Sequence, residues 1–179
     1  MTHAILHPER SCDREAVEAL LQAALNESLP WPASVLPQLL ALRVAGQLSI
    51  VRVATVSGSL AGYIAFTPVS ADTAQEQWHL LQALVVAPAV RQLGIGSALM
   101  RCACSALAHQ GASGCLVLGG SPWFTAQGFQ PLSGKNVLPE AREHLLLARS
   151  LGQPDAVPPE RLQLPWACSP RTLITAAMH

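Results

Sequence analysis

A turn between a predicted buried strand and a predicted helix contains the residues with the clearest capacity for chemistry. Residues 84–87 are apolar and precede Pro88, which ends a central strand because proline cannot donate to the ladder. Arg91, Gly94 and Gly96 then lead into an amphipathic helix. A helix N-terminus attracts anions through its free N–H groups and its dipole, and glycine lets a phosphate oxygen approach the backbone. The spacing therefore predicts a phosphate-binding turn, with Arg91 as its charged helper.

Two common phosphate-binding motifs do not fit this turn. The dinucleotide motif Gly-x-Gly-x-x-Gly needs a third glycine where Leu99 stands, and an acidic residue about 20 positions later, where none lies near Leu116. The nucleotide P-loop needs a lysine, and none is close. The alternative interpretation is that Gly94 and Gly96 only permit a tight strand-to-helix turn. The proline, the arginine and the order of the elements favour phosphate binding.

The elements around the turn follow from hydrophobic periodicity and from turn residues. Their order is βα(α)βββαβ, followed by a short helix and at least one further strand, which predicts an α/β domain with a mixed sheet rather than a regular βαβα repeat. The predicted elements are a helix after an N-cap at Ser11, a helix over 35–44, a helix from Ile95 that Gly111 ends, and strands over 4–7, 48–56, 60–69, 78–86, 115–118 and 145–151.

The sequence predicts a single domain over residues 1–151. Residues 152–179 form a proline-rich C-terminal extension, which we expect to pack on the same domain and of which only 161–166 resembles a strand. Three roles stay open for this extension. It covers the site, adds an edge strand, or contacts a second subunit in a homodimer.

Charge and composition exclude several classes of partner. The chain has 179 residues, with 11 Lys or Arg, 11 Asp or Glu, a formal net charge of 0 and 12% charged residues. It therefore lacks the basic patch of a protein that binds nucleic acid or an anionic membrane, and no apolar stretch is long enough for a membrane helix. Its cysteines number 5 and show neither a disulfide framework nor metal-ligand spacing. We expect no metal, a cytoplasmic location, and core positions for Cys102 and Cys115.

The phosphate-binding turn resembles a motif of the GNAT superfamily of N-acetyltransferases. Residues 91–96 are similar to its Arg/Gln-x-x-Gly-x-Gly/Ala motif, and the segment 116–129 resembles the bacterial YhbS-like branch. The element order matches over roughly residues 4–151. The resemblance implies a GNAT-like mixed central sheet flanked by helices, and acetyl-CoA as co-substrate. It implies cofactor contacts from Leu84, Val85, Val86, Arg91, Gln92, Leu93, Gly94, Ile95, Gly96, Ser97 and Phe124.

The same resemblance implies direct transfer of an acetyl group to a neutral amine, with a backbone N–H near Val86 stabilising the oxyanion. Many relatives protonate the departing thiolate with a tyrosine, but this position is Phe124, which has no ionisable proton. Ser121 is the nearest hydroxyl. The candidate bases are Glu76 and His79; the alternatives are a solvated charge for Glu76 and an ordinary sheet residue for His79.

Three functions are consistent with these residues. The first is an acetyl-CoA-dependent N-acetyltransferase acting on an amine of a small molecule or a protein. The second is a non-catalytic acyl-CoA-binding module, which Phe124 in place of the tyrosine would explain. The third is an unrelated α/β domain whose anion site binds a nucleotide or nothing. Trp123 and Phe124 either flank the cofactor's thiol end or fill the core beneath it.

Overall fold

The computed structural model describes residues 3–27, 35–71, 77–119, 121–132, 146–152, 162–163 and 174–176, which form four α-helices and nine strands. Short 3₁₀ turns lie at Ser11–Asp13 and Pro88–Val90. The α-helices are α1 (Arg14–Asn26), α2 (Val35–Val44), α3 (Ile95–His109) and α4 (Pro122–Ala126). The strands are β1 (Ala4–Pro8), β2 (Ile50–Val56), β3 (Ser59–Ala71), β4 (Trp78–Val86), β5 (Gly114–Leu118), β6 (Gln130–Pro131), β7 (Leu146–Ser150), β8 (Leu162–Gln163) and β9 (Ile174–Ala176).

The strands form a mixed sheet, as the order of the elements predicted. Its main path runs β1-β2-β3-β4-β5-β7-β6, and β8 and β9 pair off this path with β3 and β4. The pairs β4–β5 and β4–β9 are parallel, and the other pairs are antiparallel. The β2–β3 hairpin turns at Ser57 and Gly58, whose φ angles of 50° and 81° suit the tight turn of a two-residue loop.

Helices cover both faces of the sheet. One face packs against α3 through a buried cluster that includes Ile64, Leu84 and Leu99, and the other packs against α1 through a cluster that includes Leu21 and Tyr63. Neighbouring residues of a strand point to opposite faces, so Tyr63 and Ile64 belong to different layers. The result is a three-layer α/β arrangement with β4, all of whose residues are buried, at its centre.

Gly62 of β3 lets α3 approach the sheet closely. A Cβ atom built on Gly62 would lie 2.8 Å from Leu99 Cδ1, 3.3 Å from Ile95 Cγ2 and 3.2 Å from the Val85 carbonyl oxygen. Those distances are shorter than ordinary carbon contacts of about 3.5–4.0 Å. A glycine at this position therefore sets the depth at which the first turn of α3 lies beside the end of β4.

Some details of the predicted elements were wrong. Ser11 is not an N-cap but the first residue of a 3₁₀ turn, where the Asp13 carboxylate accepts the Arg10 N–H at 2.7 Å. Cys102 is only half-buried, whereas Cys104 is buried and Cys115 is buried as expected. The extension provides β8, within its predicted strand, and also β9, which hydrophobic periodicity did not predict.

Candidate functional site

A pocket lies at the carboxyl end of β4, against the first turn of α3. Its volume is about 300 Å³. The turn and helix start that the sequence singled out supply most of its wall, and Val86 of β4 and Trp123 of α4 supply the rest. The lining residues are Val86, Arg91, Gln92, Gly94, Ile95, Gly96, Ser97 and Trp123.

The turn adopts a conformation that exposes backbone N–H groups to the pocket. Gln92 and Gly94 have positive φ angles of 62° and 78°. The Ala98 N–H donates to the Gly94 carbonyl at 3.0 Å, which is the first hydrogen bond of α3. The N–H groups of the first turn, at residues 95–97, therefore have no acceptor within the helix. Because the helix dipole also places partial positive charge there, the arrangement suits an anionic ligand.

Two hydrogen bonds hold the Arg91 guanidinium at the pocket wall. Its Nε donates to the Val86 carbonyl at 3.1 Å, and its Nη2 lies 2.5 Å from Oε2 of Glu27, just after α1. The Arg91 side chain is 20% exposed and the Glu27 side chain 35% exposed. Glu27 was not a predicted site residue, and no local pattern marks it, because it lies far from Arg91 in sequence.

The edge of β4 next to the pocket is divided between two strands. β5 pairs with residues 78–80, and β9 pairs with residues 83–85. The register of β3 and β4 shifts between these stretches, with Gln82 as the additional residue of β4. Leu84 and Val85 therefore lie on the central strand below the pocket. They are not part of its lining.

Trp123, rather than Phe124, faces the pocket. Phe124 is 1% exposed, and its ring packs edge-to-face on Trp123 and Phe129, with centroids 5.3 and 5.8 Å apart. Phe124 thus fills the core beneath the pocket. Leu93, another predicted contact, is 59% exposed and does not line the pocket either.

His79 lies buried in β4, at the end of the strand remote from the pocket. It stands seven residues before Val86, a distance of about 23 Å along an extended strand. Its Nδ1 is 2.8 Å from Ser49 Oγ, and its Nε2 has no hydrogen-bond partner among the described residues. Burial lowers the pKa of His79, so the ring is neutral near pH 7.

Glu76 and Ser121 are the other candidate catalytic residues. Glu76 lies outside the described residues. Ser121 is the N-cap of α4, where its Oγ accepts the Trp123 N–H at 3.4 Å. Ser121 therefore lies two residues before Trp123, the aromatic residue that lines the pocket. Its hydroxyl accepts in this bond and keeps its own proton to donate.

No metal-binding group of three or more His, Cys, Asp or Glu residues occurs in the described part of the chain. Within the same residues, no helix has the length and apolar character needed to cross a membrane.

The chain is an α/β protein with a mixed sheet. Its central strand leads through an Arg-x-x-Gly-x-Gly turn into a helix whose N-terminus suits an anion. Residues 47–131 match the sequence model of the acetyltransferase (GNAT) domain. Over these residues the chain is similar to a GNAT acetyltransferase domain, and its fold is that of the GNAT N-acetyltransferases. No curated protein matches it in sequence.

Solved structures of GNAT proteins have the same fold. A GNAT family acetyltransferase from Brucella melitensis, in complex with acetyl-CoA, is 26% identical, with a TM-score of 0.76 over 92% of this chain and 97% of its own. The N-acetyltransferase YhbS from Escherichia coli, in complex with CoA, is 21% identical, with a TM-score of 0.80 over 93% of this chain and 92% of its own. A GNAT acetyltransferase from Staphylococcus aureus is 14% identical, with a TM-score of 0.65 over 83% of this chain and 99% of its own.

Proposed function

We propose that this chain is an acetyl-CoA-dependent N-acetyltransferase that transfers an acetyl group directly to a primary amine of a small molecule or a protein. The observation that supports the proposal most is the pocket itself, where Arg91 and the N-terminus of α3 converge at the end of β4. The similar Brucella and E. coli structures hold acetyl-CoA and CoA.

The residues present fit the diphosphate of coenzyme A. The left-handed conformation of Gln92 and Gly94 turns the backbone so that the N–H groups of residues 95–97 converge. Arg91 adds a guanidinium whose Nη1 has no hydrogen-bond partner among the described residues and can donate to a phosphate oxygen. Because the chain has a formal net charge of 0, binding rests on these local donors rather than on a broad positive field.

The chain's own groups can assist acetyl transfer in three ways. Acetyl-CoA, when bound, supplies an activated thioester. The backbone of Leu84–Val86 orients the ligand along β4, and a backbone N–H near Val86 stabilises negative charge that develops on the carbonyl oxygen. Trp123 excludes water from one side of the pocket.

The reaction needs a base that removes a proton from the amine and, optionally, a donor to the departing thiolate. His79 is neutral through burial, but it lies about 23 Å along β4 from Val86, too far to act as the base at that end of the strand. Glu76 is the remaining candidate base. Ser121, beside Trp123, is the candidate donor to the departing thiolate. A thiol has a pKa of about 8.5, so thiolate also leaves without a strong acid.

A second candidate function is that of a catalytically weak acyl-CoA-binding module. The buried phenyl ring of Phe124, where many relatives have the acidic tyrosine, favours it. Tyr63 does not replace that tyrosine, because it is fully buried and burial raises its pKa to about 12.

The buried thiols fit a reducing compartment. The described cysteines Cys12, Cys102, Cys104 and Cys115 are all free, and the last two are buried with their sulfur atoms 3.8 Å apart. We therefore place the enzyme in the cytoplasm.

Calorimetric titration with CoA, combined with release of free thiol from acetyl-CoA across a panel of amines, tests the proposal. Gly96→Trp fills the pocket and should abolish both signals, whereas Ser105→Trp adds the same bulk on the exposed face of α3 and should preserve them. CoA binding without thiol release from any amine supports the binding module. A lack of CoA binding overturns both functions.

A further inference from the structure

The C-terminal strand β9 lies on the edge of β4 that leads into the pocket. β9 is parallel to β4, and its register pairs Ile174 with Ala83 and Ala176 with Val85. The next residue of β4, Val86, lines the pocket. β5 leaves this edge after Leu80, so β9 takes the place that β5 vacates.

Backbone direction shows which groups of β4 meet β9. The Ala87 N–H donates to the Ala61 carbonyl of β3 at 2.9 Å. Because successive residues of a strand direct their backbone groups to opposite edges, those of Leu84 and Val86 point away from β3, toward β9. Arg91 holds the Val86 carbonyl, which confirms that this carbonyl does not face β3.

A ligand whose diphosphate occupies the pocket would continue along this same edge. The pantetheine arm of coenzyme A is an extended chain with two amide groups, and such a chain pairs with exposed strand groups as an added strand does. Each N–H of β4 donates to one acceptor at a time, so β9 and the arm compete for Leu84 and Val86.

We infer that β9 is an intramolecular competitor of coenzyme A, an inference that rests on the proposed function. β9 occupies the position of the pantetheine arm and leaves β4 when coenzyme A binds. β9 has only three residues, and among the described residues it pairs only with β4. Displacing it therefore breaks few hydrogen bonds. The fraction of molecules in which β9 has left sets the apparent affinity for CoA.

A pair of proline variants in the full chain tests this inference. In a parallel ladder a residue bonds to the residues before and after its partner, so the Ala176 N–H faces the Leu84 carbonyl and the Thr175 N–H faces away from β4. Ala176→Pro removes a ladder donor, and Thr175→Pro introduces the same ring without removing one.

Calorimetry with two ligands gives the readout. CoA should bind Ala176→Pro about tenfold more tightly than the wild type, and Thr175→Pro should bind it like the wild type. ADP, which has a diphosphate but no pantetheine arm, should bind all three proteins equally. If CoA and ADP both bind but Ala176→Pro does not bind CoA more tightly, the inference is overturned and the proposed function stands. If neither ligand binds any protein, the proposed function fails, and the inference fails with it.

Hydrogen exchange on the wild type provides a measurement that no misfolded variant can disturb. Saturation with CoA should speed exchange of the Ile174 and Ala176 amides, whereas ADP should leave it unchanged. Unchanged or slower exchange of these amides with CoA overturns the inference.

Discussion

Glu27, just after α1, lies 2.5 Å from the Arg91 guanidinium, which also donates to the carbonyl of Val86 at the end of β4. This contact joins one helix layer to the turn that precedes the other. It fixes the plane of the guanidinium at the pocket wall, and it places a carboxylate beside a site that suits anions. Arg91 and Glu27 should therefore have opposite effects on ligand binding.

Replacing Arg91 with alanine should weaken CoA binding by about tenfold, because one charge-assisted contact to the diphosphate is lost. Arg91→Lys should not restore the affinity, since an ammonium cannot reproduce the two fixed bonds of the guanidinium. Arg101→Ala removes the same charge from an exposed position of α3 and serves as the control. Calorimetry at low salt measures the difference, and equal losses in the two alanine variants would contradict a local contact.

Replacing Glu27 with glutamine should strengthen CoA binding by about threefold, because it removes a negative charge near the diphosphate and keeps an oxygen that accepts from Arg91. The gain should shrink as salt rises. Glu15→Gln makes the same charge change on the exposed face of α1. Weaker binding by Glu27→Gln, measured in the same titration, would show that the carboxylate is needed to orient Arg91.

Gly62→Ala should destabilise the fold by about 1–3 kcal/mol, because the new methyl group would press on Leu99, which is fully buried, and on the Val85 carbonyl. Gly152→Ala is a suitable control, since its nearest atom, the Ala112 carbonyl oxygen, is 3.8 Å away. Urea unfolding gives the free energies. Equal stability of the two variants would mean that α3 shifts freely against the sheet.

Protonation of His79 should make the free energy of unfolding depend on pH. Its pKa is lowered in the folded protein by burial, so the unfolded chain binds the proton more readily. The free energy of unfolding is therefore at its full value above the pKa of His79 in the unfolded chain, about 6.5, and it decreases as the pH falls through that value. The slope contributed is at most about 1.4 kcal/mol per pH unit.

His79→Gln should remove this loss of stability between about pH 7.5 and 5. Urea unfolding of both proteins across this range isolates His79, because the remaining titratable groups, including Glu9, whose pKa is also shifted, are common to the two. If the two proteins differ in free energy of unfolding by the same amount at every pH, the prediction is refuted.

Sequence predicted the strand, turn and helix around Arg91 because each depends on nearby residues: an apolar run, a proline, and glycines. The same local rules placed β4 at its observed bounds. They could not predict the contact with Glu27, since tertiary packing brings α1 to this turn.

Short elements were the other source of error. α4 has five residues, too few for a helical period to distinguish Trp123, at the pocket, from Phe124, in the core. In α3, Cys102 and Cys104 both lie near the edge of the apolar stripe, and the neighbouring β5 and β7 decide that Cys104 is the buried one, beside Cys115 and Arg149. β9 has three residues, and its place depends on a gap beside β4.

Phe124→Tyr should not accelerate thiol release, although it restores the tyrosine found in many relatives. The ring is 1% exposed and packed against Trp123 and Phe129, so the added hydroxyl lies in the core rather than at the pocket wall. Burying that hydroxyl without a partner should cost about 1–3 kcal/mol of stability. Turnover should stay within about twofold of the wild type, whereas a true general acid contributes about 10²–10⁴-fold. Thiol release from acetyl-CoA, measured beside urea unfolding, separates the two effects. A tenfold gain in turnover would place the Phe124 ring edge at the reacting thioester and would favour the catalytically weak module as the natural state of this chain.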